Sequence, residues 1–504
     1  MKRSTEILLV TGIVLLALFF RGYHLARIPT GVSPLEAYVG NQATQVPQHA
    51  VSGPLFVALQ SWSIKQFGHN PWALHVIPAL AGTLTVLGLY LLTRTLTNIR
   101  IASLAAFLLA VSPWHVTFSR TGFAEIMVPL FLTWGLYAYW RGISTVNFLA
   151  FAGAGILFAL GMYSYTWFWL FLAVPVLTTM AYLHMLKKDF NKDDYQHVRN
   201  KIVRGIVLAS LVMLLVWLPM GFNLYLDPDA VMTTATAYTP LAPERLARFI
   251  TQFLQTVGML FTGGDPDWLH GIADQPLLWW PLAALAAVGL VKSTIKLIKR
   301  RQTHGHFSAM QVLLLSWFVV GIVPSALTRG PAPDALRALG LVPVVMLIAA
   351  EGLLWFMQFV SRWYGTRDLH AAHVNIPGIG RHYMKEARIV GGVLMAALLV
   401  ALATQGFENY FGIWAVDAHT ARAYASDATT TAQSVLRSKP KRLTYVYGQS
   451  DYSIDGLPAI MQTFMYMSDT ATPAKQKARN VKILTPLEYE QRQFPRSAPL
   501  ILLK

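Results

Sequence analysis

The chain has 504 residues, of which 54% are hydrophobic and only 13% are charged. Soluble proteins carry about 25% charged residues, so the composition excludes a row of soluble domains and indicates a membrane protein. The formal net charge of +17 does not require a nucleic-acid partner, because basic loops on one side of a membrane produce the same excess. The absence of cysteine excludes disulfides, thiolate metal sites and cysteine nucleophiles.

Apolar segments of membrane-spanning length recur along the chain. The first, residues 7–20, follows a basic N-terminus but precedes no small-residue cleavage site, so we interpret it as an uncleaved span. Ten more lie at residues 72–92, 101–118, 126–140, 146–163, 167–186, 206–225, 277–291, 312–326, 339–359 and 389–403. The sequence therefore predicts an all-α polytopic membrane protein with about eleven transmembrane helices.

The loop charges predict the orientation of these spans. Basic residues concentrate in every second loop, most densely at residues 187–204, 292–301 and 362–388. The positive-inside rule places these loops in the cytoplasm. We therefore predict a multi-pass protein of the plasma (inner) membrane with a cytoplasmic N-terminus and an extracytoplasmic C-terminus.

The outer face carries two long loops, residues 21–70 and 227–276, and loops of this length are usually functional. Each contains an amphipathic run, at residues 55–67 and 245–260, that is expected to lie in the membrane interface.

The composition changes near the C-terminus, where the chain becomes more polar and a strand is predicted at residues 443–447. We predict a transmembrane module at residues 1–404 and a small extracytoplasmic α/β domain at residues 405–504.

Two glutamates lie at the outer border of the predicted spans. Glu36 follows Pro34 in the first outer loop, where a carboxylate is either a base or metal ligand or a helix N-terminal acid. Glu125 follows Arg120 in the turn between the third and fourth spans. Either these two side chains pair with each other, or Arg120 binds a phosphate while Glu125 positions a nucleophile.

A glycine-rich stretch before the eighth span contains Asp265, Asp267 and His270. This spacing is typical of a solvated loop, and it also suits a site for a hard cation or a sugar.

Arg329 and Arg337 flank Asp334 at the outer end of the ninth and tenth spans. Arginines on the outer face run against the positive-inside bias, and a phosphate or anionic head group would explain them. An ion pair between Arg337 and Asp334 is the alternative.

Five segments, in this order, carry a resemblance to a known family: residues 27–37, 70–82, 112–125, 264–270 and 333–338. Together they resemble the bacterial members of the GT-C superfamily, in family 39, which are polyprenyl-phosphate-dependent glycosyltransferases similar to protein O-mannosyltransferases and aminoarabinose transferases. The resemblance implies a GT-C-like helical bundle in which a lipid-linked sugar enters from the bilayer. An acceptor protein, lipid or glycan would approach from the outer aqueous side between the first two outer loops.

The resemblance also implies roles for the candidate residues in an inverting transfer. Membrane lipid and the polyprenyl-phosphate sugar are the expected partners, nucleic acid is not, and a divalent cation is a candidate cofactor. The implied catalytic residues are Glu36 and Glu125, the donor-phosphate ligands Arg120, Arg329 and Arg337, and the substrate-binding residues His115, Asp265, Asp267, His270 and Asp334.

The first-loop motif departs from the family pattern at one position. The family usually has Asp-Glu-Ala there, and this chain has Leu35 in place of the aspartate. Leucine cannot accept a proton, so Glu36 takes over the role, Glu125 acts instead, or the chemistry is lost or changed. The last alternative predicts a non-catalytic protein that binds or moves lipid-linked sugars. Ionisable residues at the outer border rather than the bilayer midplane favour the enzyme.

Overall fold

A computed structural model describes residues 3–45, 53–189, 191–226, 243–299, 305–327, 330, 332–371, 379–495 and 497–503. Fifteen helices precede the C-terminal region within these residues. The first ten are α1 (Arg3–Gly22), α2 (Pro34–Gln45), α3 (Pro54–Phe67), α4 (Pro71–Leu96), α5 (Ile99–Val111), α6 (Pro113–Phe118), α7 (Met127–Thr145), α8 (Phe148–Ser164), α9 (Ala173–Asp189) and α10 (Lys192–Leu226). The next five are α11 (Pro243–Gly258), α12 (Trp280–Ile298), α13 (Gly305–Ala326), α14 (Val342–Ala371) and α15 (Ile379–Phe407).

Each of the eleven predicted spans overlaps at least one of these helices, and the third, residues 101–118, covers both α5 and α6. In the described part of the chain, eight helical segments are long and apolar enough to cross a membrane, judged by length and composition. The three remaining spans coincide with α5, α7 and α8, which have 13, 19 and 17 residues. The chain is thus an all-α multi-pass membrane protein, as the sequence predicts. Which side of the membrane each terminus occupies stays a prediction.

Local sequence signals set where several helices begin. Asn70, Asn98 and Asn147 cap α4, α5 and α8, because each side-chain oxygen accepts a backbone N–H of the first turn. The third predicted span is shorter than expected. It ends at Val111, since Pro113 starts the separate short helix α6 after an extended Ser112.

Both amphipathic runs of the outer loops form helices, namely α3 and α11. In the bundle, α8 packs between α7 and α10, while α12 packs on α14 and α13 packs on α9. The largest hydrophobic core lies among these helices.

The strands of the C-terminal region are β1 (Thr444–Gly448), β2 (Ser453–Ile454), β3 (Leu457–Pro458), β4 (Val481–Ile483) and β5 (Leu500–Leu503). Three of them form a small parallel sheet with the order β4-β1-β5, in which β1 is buried along its length, and β2 pairs with β3 in a separate antiparallel ribbon. The helices of this region are α16 (Ala418–Ala423), α17 (Ser426–Arg437), α18 (Ile460–Ser468), α19 (Pro473–Arg479) and α20 (Pro486–Glu490). The predicted strand and the small strand region at the C-terminus are confirmed.

No break separates the last span from this region. Helix α15 continues into a π-helical turn at Glu408–Ile413 and a 3-10 turn at Trp414–Val416. The predicted boundary between residues 404 and 405 therefore falls inside a helical run, and the division into two domains stays a prediction.

The C-terminal region packs directly on the first outer loop. Asn41 in α2 donates hydrogen bonds to the main-chain and side-chain oxygens of Gln462, both at 3.0 Å. The N–H of Val32 donates to Thr429 at 3.2 Å, and its carbonyl accepts from Thr463 at 3.0 Å. These contacts hold α2 against α17 and α18.

Candidate functional site

Glu36 is fully buried and tied to its surroundings. Its carboxylate accepts hydrogen bonds from the backbone N–H of Ser33 at 3.2 Å and of Gly122 at 2.8 Å. Nε2 of His75 lies 3.6 Å away. Ser33 in turn accepts the N–H of Glu36 at 3.3 Å, which completes a capping box at the start of α2. The geometry therefore supports the helix-capping alternative for Glu36. The bond from Gly122 also links the first outer loop to the turn between the third and fourth spans.

Leu35, not Glu36, faces open space. Its side chain is 39% exposed and lines a cavity of about 580 Å³ between the first outer loop, the glycine-rich loop and the C-terminal region. Asp267 lines the same cavity, and its carboxylate accepts the N–H of Leu269 at 2.9 Å.

Arg120 is also fully buried, and its guanidinium has five N–H groups to satisfy. It makes five hydrogen bonds. The acceptors are the carbonyl oxygens of Phe20 (3.0 Å), Arg21 (2.9 Å), Tyr23 (2.7 Å) and Ile28 (3.1 Å) and the hydroxyl of Tyr410 (3.1 Å). No N–H remains for a phosphate or for Glu125. This corrects both sequence-based alternatives, because Arg120 instead satisfies carbonyls at the end of α1.

His115 is fully buried in α6. Its Nδ1 lies 2.7 Å from Nη2 of Arg21, while Nη1 of Arg21 donates to the carbonyl of Ala110 at 3.0 Å. Arginine has no acceptor, so His115 Nδ1 accepts this bond. The arrangement joins α1 to α6 and gives His115 a structural position rather than the predicted contact with substrate.

The glycine-rich loop brings Asp265 and His270 together. Oδ2 of Asp265 lies 2.7 Å from Nδ1 of His270, and both side chains are at least nine-tenths buried. The N–H of Asp274 bonds the carbonyl of Asp265 at 2.9 Å, which closes the loop. Gly264 is required beside them, since an added Cβ would collide with the carbonyl oxygen of Gln275.

The loop that follows α13 and contains Asp334 contacts this pair. Oδ2 of Asp265 also accepts the N–H of Ala335 at 2.6 Å, and the indole of Trp114 donates to the carbonyl of Ala335 at 3.0 Å. Ala335 follows Asp334, so the hydrogen bonds hold Asp334 beside Asp265 and His270. The ligand atoms of these three residues all lie within 4.8 Å of one another.

Arg337 completes the cluster. Its Nε lies 3.3 Å from Oδ2 of Asp334, and the side chain is 38% exposed. Among the described residues its terminal nitrogens have no hydrogen-bond partner. The predicted ion pair is therefore present, and the guanidinium still has N–H groups to offer. Arg329 lies outside the described residues.

Glu125 lies close enough to this cluster to respond to its charges. Burial raises the pKa of Glu125 to about 7; the charge of Asp334 adds to this shift, while Arg337 and His270 oppose it. Burial lowers the pKa of His270, but the Asp265 hydrogen bond and the nearby carboxylates together raise it to about 9. At neutral pH the cluster thus contains a cationic histidine and a carboxyl group near its midpoint.

The donor set of the cluster fits a divalent cation. Two carboxylates and one imidazole suit ions such as Zn²⁺ or Mn²⁺. Asp265, His270 and Asp334 supply that set, although Asp334 comes from a loop about 65 residues further along the chain.

An apolar groove borders the end of this outer loop, at Gln275. It has a volume of about 1010 Å³ and runs along α15, with Trp279 and Gln275 on its other wall. Gln275 and Asn409 also line a cavity of about 40 Å³ whose wall includes Asp265 and His270. The two spaces therefore have Gln275 and Asn409 in common in their walls.

Sequence reasoning missed Gln275, Asn409 and Tyr165. Tyr165 lies beside the cluster, where burial and the charges of Glu125 and Asp334 raise its pKa well above the ordinary value. Single polar residues next to apolar spans give no signal of their own in a sequence, because only the packing of distant helices brings them to one place.

Comparisons with known proteins agree with the observed architecture. Residues 48–219 match the family described as dolichyl-phosphate-mannose-protein mannosyltransferase. No curated protein matches the chain by sequence.

Solved structures of membrane glycosyltransferases share the fold. ArnT from Cupriavidus metallidurans in the apo state has 11% identity and a TM-score of 0.56, over 98% of this chain and 92% of that chain. ArnT from the same organism bound to undecaprenyl phosphate has 14% identity and a TM-score of 0.52, over 99% of this chain and 90% of that chain. The oligosaccharyltransferase of Archaeoglobus fulgidus, tethered with an acceptor peptide, has 15% identity and a TM-score of 0.55, over 97% of this chain and 70% of that chain. The predicted resemblance is therefore confirmed, and the chain is a membrane protein with the fold of the GT-C glycosyltransferases.

Proposed function

We propose that this chain transfers a sugar from a polyprenyl-phosphate donor to an acceptor hydroxyl at the extracytoplasmic face, with inversion at the anomeric carbon. The observation that carries the proposal is an apolar groove that shares Gln275 and Asn409 with the cavity beside Asp265 and His270. A lipid-linked phosphate has the same two-part chemistry, with an apolar chain and a charged head.

The groove suits the polyprenyl chain. Six of its twelve lining residues are alanine, valine or isoleucine from α15 and the turn after it, so this part of the wall offers apolar surface to a chain that enters from the bilayer. Similar proteins support this role, since one ArnT structure contains undecaprenyl phosphate and one structure of the archaeal oligosaccharyltransferase AglB contains dolichol phosphate.

Arg337 and His270 are the groups that would receive the phosphate. Within the described residues no acceptor takes the terminal N–H groups of Arg337, and His270 carries a proton at neutral pH because its pKa is about 9. Positive groups in a buried site stabilise the charge that develops on a leaving phosphate.

Glu125 is the proposed base. Its pKa of about 7 allows the carboxylate to take a proton from the acceptor hydroxyl near neutral pH. As the proton moves to Glu125, the hydroxyl oxygen bonds to the anomeric carbon, and the bond from that carbon to the phosphate oxygen breaks. The phosphate leaves on the opposite side with the electron pair. Glu36 is not assigned this role, because its carboxylate is already occupied by backbone N–H groups.

The proposal includes an alternative state of the cluster, in which a divalent cation replaces the proton on His270. Asp265, His270 and Asp334 would hold it, with the proton on His270 displaced. When bound, the cation would supply positive charge to the leaving phosphate.

Leu35 supports the alternative function, which is binding or movement of lipid-linked sugars without transfer. An apolar residue lines the cavity where the family resemblance implies an aspartate, as expected for a protein that binds lipid-linked sugars without transferring them. The two functions predict different fates for a bound donor.

The test uses the purified full chain in lipid nanodiscs. Co-purifying polyprenyl-phosphate sugars are identified by mass spectrometry, and the lipid found is incubated with an envelope extract, with and without a chelator. We expect release of free polyprenyl phosphate together with a glycosylated product. Glu125→Gln should slow this release by about a hundredfold or more, whereas Asp193→Asn in the predicted inner loop should match the parent. A donor that stays bound and never turns over would support the binding protein instead.

The Leu35→Asp variant separates a weakened enzyme from a non-enzyme. Faster transfer by this variant would indicate an enzyme that lacks one useful carboxylate. Retained donor binding without transfer, in both the parent and the variant, would contradict the proposed activity.

A further inference from the structure

Two segments of the C-terminal region carry basic side chains and no acidic one. Residues 437–443 and 473–482 each contain four lysines or arginines, and neither contains an aspartate or a glutamate. The first segment connects α17 with β1, and the second comprises α19 and the start of β4. We refer to the two segments together as the basic patch. Positive charge at this density attracts an anionic partner.

Hydrogen bonds between the two segments make the patch one continuous surface. Nη1 of Arg479 donates to the carbonyl of Leu436 at 3.3 Å, and Nδ2 of Asn480 donates to the carbonyl of Pro440 at 2.9 Å. The N–H of Thr444 donates to the carbonyl of Asn480 at 2.9 Å. The charges of both segments therefore act on the same neighbour.

Nearby carboxylates neutralise only part of this charge. Asp469 lies 2.6 Å from Nζ of Lys475 and 3.9 Å from Nη2 of Arg479, while Glu488 lies 2.9 Å from Nζ of Lys482. In the part of the chain that the structure describes, the other five cations of the patch form no ion pair, and all five are exposed: Arg437, Lys439, Lys441, Arg442 and Lys477. The patch thus keeps a net positive charge.

The patch is anchored beside the point where α4 enters the membrane. Helix α4 is a candidate span that begins at Pro71. Just before it, Nδ1 of His69 lies 3.0 Å from the carbonyl of Tyr466, and its Nε2 lies 3.1 Å from Oδ1 of Asp469. The hydroxyl of Tyr466 donates to the carbonyl of Asn70 at 3.3 Å. Asp469 is also the carboxylate that contacts two cations of the patch.

Exposed aromatic side chains mark the same border. Trp62, Phe67 and Trp72 are 54%, 45% and 37% exposed, and the rings of Phe67 and Trp72 lie 6.3 Å apart. Aromatic residues of this kind are enriched where the apolar core of a bilayer meets the head groups. Helix α19 has seven residues and is therefore about 10 Å long, so it keeps the patch close to the level of the head groups.

The chemistry of the patch favours a lipid surface over a soluble polyanion. A membrane that contains anionic phospholipids attracts each lysine or arginine near it, and phosphates accept strong hydrogen bonds from these groups. Leu443 follows Arg442 and is 46% exposed. A soluble polyanion would leave this side chain in water, whereas the boundary between head groups and acyl chains accepts it.

We infer that the basic patch binds the head groups of anionic phospholipids and docks the C-terminal region on the membrane surface beside α3 and α4. The inference does not depend on sugar transfer, and it holds for either leaflet. It also gives a reason for a dense group of cations on a face that the positive-inside rule leaves poor in them.

The experiment measures contact between the patch and lipid in the full chain. Because the chain has no cysteine, one introduced cysteine directs a fluorophore to one site. Ser438→Cys places it in the patch, and Ser453→Cys places it on β2 as a reference, and both serines are exposed. Nanodiscs contain phosphatidylcholine alone or an equimolar mixture with phosphatidylglycerol. A nitroxide on the lipid head groups quenches a fluorophore that approaches the surface.

The charge variant is Lys441→Gln/Arg442→Gln, which removes two cations of the patch. Its matched control, Arg422→Gln/Arg492→Gln, removes two exposed cations elsewhere in the same region. All four positions are exposed, so both double variants should unfold at the temperature of the parent.

We expect quenching at position 438 to be about threefold stronger in the phosphatidylglycerol discs than in the neutral discs. The charge variant should lose this increase and the control should keep it, while position 453 should show none. Salt at about 1 M should abolish the increase, because the Debye length falls to about 3 Å. This result supports the inference whether or not the same samples transfer sugar.

Three outcomes would overturn the inference. The first is equal quenching at position 438 in the two kinds of disc. The second is loss of the increase in both double variants, because the effect would then reflect the total charge and not the patch. The third is a response of the label to soluble polyphosphate in neutral discs with no increase in phosphatidylglycerol discs, which would assign the patch to a soluble polyanion.

Discussion

The N–H of Ala335 donates a 2.6 Å hydrogen bond to Oδ2 of Asp265, across 70 positions of the chain. The same oxygen lies 2.7 Å from His270, so one carboxylate orients a histidine and positions the loop that carries Asp334 and Arg337. The Asp265→Asn variant tests this arrangement. Asparagine keeps an oxygen for Ala335 but removes the negative charge beside His270. We expect sugar transfer to fall by about a hundredfold, measured as product formed per folded molecule.

The control for this variant is Asp193→Asn, an exposed aspartate at the start of α10. Asp265→Asn should unfold at a lower temperature than this control, because it breaks a buried ion pair, so the rates are compared per folded molecule. Equal transfer rates in Asp265→Asn and the parent would show that the charge of Asp265 has no part in the reaction.

The rate of transfer should depend on the ionisation of Glu125. Burial raises the pKa of this carboxyl to about 7, so the carboxylate needed for proton removal predominates only above that pH. We expect the rate to fall by about tenfold per pH unit below pH 7, to reach a plateau above it, and to fall again above about pH 9, where His270 loses its proton. His270, Asp334, Arg337 and Tyr165 are the charged or titratable groups around Glu125.

The Glu125→Gln variant provides the check on this profile. Its residual rate should lose the rise near pH 7, because glutamine does not titrate. A profile that keeps the same midpoint in Glu125→Gln would assign the titration to another group.

The groove along α15 should control donor affinity. Ala397 lines the groove, and the Ala397→Trp variant would fill space that the polyprenyl chain needs. We expect the KM for the lipid-linked donor to rise by about tenfold, with kcat nearly unchanged, because the substitution lies away from the cluster. Leu394→Trp is the matched control, since Leu394 is 54% exposed and does not line the groove. The same KM in all three proteins would place the lipid chain elsewhere.

Arg120 and Arg337 should respond differently to replacement by lysine. Arg120→Lys removes most of five buried hydrogen bonds and should destabilise the protein by about 3 kcal/mol or more, while the donor KM of the folded fraction stays near that of the parent. Arg337→Lys should leave stability within about 0.5 kcal/mol, as for other partly exposed positions, and raise the donor KM. Thermal unfolding and initial rates on the same samples measure both effects. A raised donor KM in Arg120→Lys at unchanged stability would restore its predicted contact with phosphate.

The sequence predicts the bundle well, because long apolar runs have few alternatives to helices in a membrane. It also places Asp265 and His270 in one loop, since five positions separate them. Asp334 joins them only through Ala335 and Trp114, and such contacts between distant loops leave no mark in local spacing. Arg120 is misread for a related reason: four of its five partners are backbone carbonyls, which every residue supplies, so no pattern of side chains predicts the pairing.

The uninterrupted helical run from α15 to Val416 has a practical consequence for anyone who wishes to study the C-terminal region alone. Tyr410 and Trp414 lie on this run and are each about 1% exposed; the indole of Trp414 donates to the carbonyl of Trp268 at 3.0 Å. A fragment cut at residue 405 would begin in the middle of a helix and present both rings to water. Such a fragment should aggregate, and the region is better studied attached to its membrane bundle.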